Sequence, residues 1–210
     1  LHLSIRRQRQ MCIRDRVSVV ALVVFLGIGA TWVITKATEA SQVLPAVIKQ
    51  TPPFSLVSHH GEPFTNDSLR NKISVLDFIF TSCPGPCPIM SNNMRTLYNQ
   101  YKLHPDLQFI SITVDPEYDS QEVLKIYADA NGVNDRRWKF LRADMEKVKK
   151  LSSDGFLLMS DNLPAGHSVK FVLIDGDGNI RQYYNGTDKA SISILRKHIN
   201  LFLKKLRSSV

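Results

Sequence analysis

Two cysteines, Cys83 and Cys87, stand three residues apart in Phe80-Thr-Ser-Cys-Pro-Gly-Pro-Cys-Pro88. Thiolate is the form of cysteine that binds soft metal ions and attacks disulfides, so the pair admits metal binding and thiol–disulfide exchange. Prolines at 84, 86 and 88 fix φ along the loop, which lowers the entropy lost when both sulfurs converge on one ion or one bond. Two inert, buried cysteines are the ordinary alternative. Their shared place, where an apolar run ends and a helical pattern begins, argues against it. Amide N–H groups at a helix start favour an anion, so a lowered pKa is expected for at least one thiol.

Histidine is a borderline donor that suits copper or zinc. His167, in Pro164-Ala-Gly-His-Ser168, immediately precedes another apolar run and is the candidate third ligand of a Cys2His site. Met90 and Met94 follow Cys87 on one helical face; their sulfurs are soft, but core packing is the reading adopted for them. His59 and His60 sit at a turn and read as solvated, His104 as the polar end of a helix, and His198 as the exposed side of the last helix.

These residues need elements to hold them. Ser74–Thr81 (SVLDFIFT) is a continuous β-branched and aromatic run, as in a strand covered on both faces. Pro88–Leu103 follows with helical spacing of Ile89, Met94, Leu97 and Tyr101, and with Pro88 suited to a first turn. Phe54–Val57 and Pro63–Thr65 flank His59-His60-Gly61 as a hairpin, and Leu107–Val114 is a second buried strand. Asp119-Ser-Gln-Glu122 has the spacing of a capping box for a helix reaching about Ala130. A short strand, Trp138–Arg142, and a short helix, Met145–Leu151, come next. Val169–Asp175 and Ile180–Tyr184 form strands around the turn Gly176-Asp-Gly-Asn179, and Ser191–Arg207 is an amphipathic helix. This order describes an α/β sandwich of thioredoxin type.

The 210 residues suit one folded domain, and three cysteines exclude a disulfide-rich scaffold. A formal charge of +8 suggests nucleic acid at first. Residues 1–16 hold five arginines and one acid, so half of that charge sits there. Their stretch Met11-Cys-Ile-Arg-Asp15 back-translates as ATG TGT ATA AGA GAC, which resembles a transposase adapter end, and residues 1–16 are read as translated adapter. Cys12 then leaves the chemistry, and no nucleic-acid partner is expected. Residues 17–34 carry no charge and read as a single transmembrane helix, with Trp32 near the interface. A cleaved signal peptide is the alternative. Residues 35–53 read as a linker and 54–207 as the folded domain.

The chain resembles the Sco/SenC family, membrane-anchored thioredoxin-fold copper proteins needed to assemble cytochrome c oxidase. The carriers are DFIFTSCPGPCP, ISITVDPEYDSQEVLKIYA and GHSVKFVLIDGDGNI. The resemblance implies copper, as Cu(I) and also Cu(II), held by Cys83, Cys87 and His167. It implies the copper-containing subunit of cytochrome c oxidase as partner, with other copper chaperones or thiol–disulfide reductases as further ones. It also implies a single-pass anchor in a bacterial inner membrane, with the soluble domain on the periplasmic side. Gly85 and Gly166 depart from relatives that carry Asp at these positions, which removes two nearby carboxylates. Asp115 matches a family motif near the site, although a turn role suffices for it. A thiol–disulfide oxidoreductase using Cys83 and Cys87 stays open beside the metallochaperone, which is not itself an enzyme. CxxxC spacing, Val169 where such enzymes carry proline, and His167 all favour metal.

Overall fold

The computed structural model describes residues 18–33, 35, 43–158, 163, 164, 166 and 168–208. It divides into two units, 1–43 and 44–210. In the first, residues 18–33 form a helix, α1, whose side chains are exposed along its length. Among the described residues no helix is long and apolar enough to cross a membrane. Val17 and Ile34, the ends of the expected span, lie outside the described residues, as does all of 1–16.

The second unit holds one eight-stranded sheet. Its strands are β1 (Lys49–Gln50), β2 (Ser55–Ser58), β3 (Pro63–Thr65), β4 (Ile73–Ile79), β5 (Leu107–Thr113), β6 (Trp138–Arg142), β7 (Lys170–Ile174) and β8 (Asn179–Asn185). The order across the sheet is β1-β8-β7-β4-β5-β6-β2-β3. Strands β4, β5 and β6 run parallel, and the pairs outside them are antiparallel. Helices α2 (Cys87–Gln100), α3 (Gln121–Ala130), α4 (Met145–Lys150) and α5 (Lys189–Ser208) complete the unit, with one wide π-helical turn at Leu151–Gly155. The unit begins at Leu44, inside the stretch the sequence marks as linker, because β1 pairs with β8 through Lys49 and Gln50.

Every residue of β4 and β5 is buried, which is why both read as unbroken apolar runs. Phe78, Phe109, Phe140, Trp138 and Tyr98 fill the centre, each burial worth roughly 1.5–3 kcal/mol. Met90 and Met94 are fully buried, as expected of packing residues. In α5, Ile192, Leu195, Ile199, Phe202 and Leu203 make the buried stripe. His59 is a correction: it is 3% exposed. Its N–H donates to the Phe140 carbonyl, and its Nδ1 accepts the Phe140 N–H at 3.1 Å, which draws the hairpin turn onto β6. Burial, then the neighbouring His60, push its pKa down to about 4. His198 is also less open than expected, with Nδ1 2.6 Å from the Tyr184 hydroxyl.

Candidate metal centre

Strand β4 ends at Ile79, and its ladder with β5 runs one step further through the Val114 N–H to the Ile79 carbonyl. The chain then turns, with the Cys83 N–H bonded to the Phe80 carbonyl at 3.3 Å. Helix α2 starts at once. Pro86 stands before its first turn at φ −74° with no side-chain cap, and Pro88 lies within that turn. Cys87 is thus the first residue of the helix, and no acid competes for the helix's positive end.

Both cysteines are thiols and both are buried, Cys83 at 9% exposure and Cys87 at 1%. Cys83 is close enough to Cys87 to act on its ionisation, so the loop brings the two thiols together without a covalent link. The expected lowering of a thiol pKa is not what Cys87 shows. Burial pushes the Cys87 thiol up and outweighs the lowering effect of the Phe80 backbone, while Cys83 and Asp77 push it up further. A thiolate there needs a cation beside it. Gly85 leaves room above the pair: a Cβ on it would lie 4.0 Å from the Cys83 sulfur.

His167 lies outside the described residues. Among the described residues no third His, Cys, Asp or Glu joins the two thiols in a metal-holding cluster. Asp115 has the turn role: its N–H donates to Thr113 Oγ1 at 3.0 Å, and its carbonyl accepts from the Asp119 N–H. A cleft of about 520 Å³ lined by Lys49, Phe54, Leu56, Lys147 and Leu151 shares no residue with the thiol loop.

Two buried acids near the loop were not legible as site residues. Asp77, in the middle of β4, is fully buried and accepts from Ser111 Oγ at 2.7 Å. Burial pushes its pKa up to about 7. Asp119 is also fully buried and bonds to Thr81, two residues before Cys83. The helix cap expected at Asp119 is instead Ser120, whose Oγ accepts from the Val123 N–H.

Comparison with known proteins fits this arrangement. Residues 45–201 match the SCO1/SenC family model. A SCO2-like protein of Rickettsia typhi is 40% identical over 173 residues, covering 75% of this chain and 77% of the relative. A SCO1/SenC family lipoprotein from Bacillus anthracis has a solved structure 30% identical, with a TM-score of 0.69 over 79% of this chain and 99% of its own. Yeast Sco1 with copper bound is 25% identical, with a TM-score of 0.59 over 72% of this chain and 89% of its own. The chain belongs to the SCO1/SenC family, with its thioredoxin-like α/β fold.

Proposed function

We propose that this chain is a copper carrier that binds Cu through Cys83, Cys87 and His167 and supplies it during assembly of the binuclear copper centre of cytochrome c oxidase. The observation that carries the reading is the pair of neighbouring, non-disulfide thiols held at the start of α2 by a three-proline loop. Two thiolates suit Cu(I), and one imidazole completes a three-coordinate set that leaves space for an incoming ligand from the recipient. Copper is the cargo here. The chain's own task is to give up the Cys87 proton as the cation arrives, because burial otherwise keeps that thiol protonated. The yeast Sco1 structure with copper bound supports the choice of metal.

The recipient is the copper-containing oxidase subunit, which places the soluble domain on the outer, periplasmic side of a bacterial inner membrane. Residues 17–34, uncharged and partly helical at 18–33, are its single-pass anchor. Carbonate-resistant membrane association, lost when 17–34 are deleted, tests the anchor. The carrier is tested by anaerobic Cu(I) titration of the reduced protein against a chromophoric chelator. One tightly held copper per chain, lost in Cys83→Ser, Cys87→Ser and His167→Ala, is the expected result. Full affinity in His167→Ala overturns the three-ligand set.

The pair of neighbouring free thiols also favours a second reading, thiol–disulfide exchange with exported proteins. Ready catalytic reduction of a disulfide substrate, together with absence of tight copper, would select it.

A further inference from the structure

The buried carboxylate of Asp119 holds the base of the thiol loop. Its Oδ2 accepts the Thr81 N–H at 3.2 Å, its Oδ1 accepts the Thr81 hydroxyl, and its Oδ2 accepts the Thr113 hydroxyl. Thr81 follows β4, and Thr113 is the last residue of β5. One carboxylate, 0% exposed, therefore clasps the adjoining ends of two parallel strands at the edge where the loop leaves. The clasp is itself braced. The Asp119 N–H donates to the Asp115 carbonyl at 2.8 Å, and Thr113 Oγ1 accepts the Asp115 N–H. The turn from Asp115 to Asp119 is thereby tied to Thr81.

The two thiols differ in how they are held. Cys87 rides on α2, a fourteen-residue helix packed through Met90, Met94 and Leu97. Cys83 hangs on the loop, and its distance from Cys87 depends on where the chain leaves β4. That point is Thr81. Hydrogen bonds to a buried carboxylate are among the stronger ones and are directional. A restraint two residues from Cys83 fixes one end of the short path to its sulfur.

We propose that Asp119, acting through Thr81, is a positioning residue that holds Cys83 at the dithiol spacing and opposes closure of the Cys83–Cys87 disulfide. The inference rests on the copper reading, which uses the same two sulfurs. Its test is made without metal.

The reduced chain is equilibrated with glutathione and glutathione disulfide. In this exchange the two thiols lose two electrons and two protons, one S–S bond forms in the protein, the glutathione S–S bond breaks, and two glutathione thiols are released. Thr81→Val removes the hydroxyl at constant shape, Thr81→Ser keeps it, and Thr113→Val removes the hydroxyl on the β5 side of the same carboxylate. Asp119→Asn joins the series if it folds. We expect Thr81→Val to shift the equilibrium toward the disulfide by about tenfold, the effect of losing part of one charge-assisted hydrogen bond. Thr81→Ser should stay within twofold of the parent, and Thr113→Val should lower thermal stability with a smaller shift in the thiol equilibrium. A merely structural clasp predicts lower stability in both valine variants and an unchanged equilibrium, and that outcome overturns the proposal. Failure of the parent to bind Cu(I) would instead overturn the copper reading, and the thiol equilibrium would judge the clasp separately.

Discussion

Asp77→Asn should make the protein more stable at pH 8, and by a much smaller margin at pH 5. Asp77 lies within a fully buried strand opposite Ser111. Ser111 Oγ accepts from Trp138 Nε1 at 3.0 Å and spends its one proton on Asp77 Oδ1. Asp77 Oδ2 has no hydrogen-bond partner among the described residues. A carboxylate so placed is expensive to ionise, which is why its pKa rises from 3.8 to about 7. In the unfolded chain the acid loses its proton near pH 4; in the folded chain it keeps it until about pH 7. Between those values the native state binds more protons, so rising pH lowers stability. About three pH units at about 1.4 kcal/mol each give a loss on the order of 4 kcal/mol above pH 7.

Asparagine has the shape of the protonated acid. It keeps the oxygen that accepts from Ser111 and never ionises. His59 works in the opposite sense: with its pKa lowered to about 4, it favours the native state as pH rises from 4 to 6.5. Screening beside the exposed His60 reduces that to roughly 1–2 kcal/mol. Over pH 4–6.5 the two slopes oppose each other in the parent, and Asp77→Asn leaves the His59 slope alone. Urea unfolding of the reduced, metal-free protein from pH 4.5 to 8.5 reads the difference, with a constant m-value as the control. The variant's advantage should grow by about 2–4 kcal/mol between pH 5 and pH 8. An advantage that is equal at both ends would refute the reasoning, since Asp77 would then hold one protonation state throughout.

Gly85→Asp should fold normally, because a Cβ there meets only the Cys83 sulfur, at 4.0 Å. Its negative charge should slow iodoacetamide alkylation of Cys83 at pH 8 by roughly threefold to tenfold; an unchanged rate would mean the new carboxylate turns away. Gly155→Ala should cost about 1–3 kcal/mol in urea unfolding, since its Cβ would stand 3.0 Å from Pro52 Cγ and 3.1 Å from Leu151 Cδ1. His59→Phe should lose about 1–3 kcal/mol at pH 8 by leaving the Phe140 N–H without its acceptor. That variant's deficit should shrink as pH falls from 6.5 to 4, where the parent's imidazole gains a proton on unfolding but stays neutral when folded; a constant deficit would argue that His59 titrates in the ordinary range.

The sheet's central strands were legible because burial on both faces writes itself as an unbroken apolar run, as in SVLDFIFT. The thiol pair was legible for the converse reason, since reactive residue types clustered where that run stops. Strand β1 was not, because two residues carry no period and their pairing with Ile180 and Asn179 is a tertiary event. Asp77 passed as one polar letter inside an apolar word. Asp119 was hidden by a good local explanation: its spacing to Glu122 satisfies a capping pattern, yet Ser120 caps the helix and frees Asp119 to turn inward. The Cys87 thiol shows the same competition in energies. A helix start lowers a thiol pKa, burial raises it, and only the folded surroundings decide which is larger.

The two buried acids divide the work around the loop by how many donors each receives. Asp119 gathers two hydroxyls and an amide N–H, enough to make a buried carboxylate a rigid fastening. Asp77 receives one hydroxyl, which leaves its charge poorly stabilised and within electrostatic reach of Cys87. Ionising Asp77 therefore makes ionising Cys87 harder, and an arriving cation relieves both at once. A site built this way releases its thiol proton most readily to a positive charge. Under the copper reading proposed above, such a bias would favour metal capture over spontaneous thiolate chemistry; it comes first from burial, with Cys83 and then Asp77 of β4 adding to it.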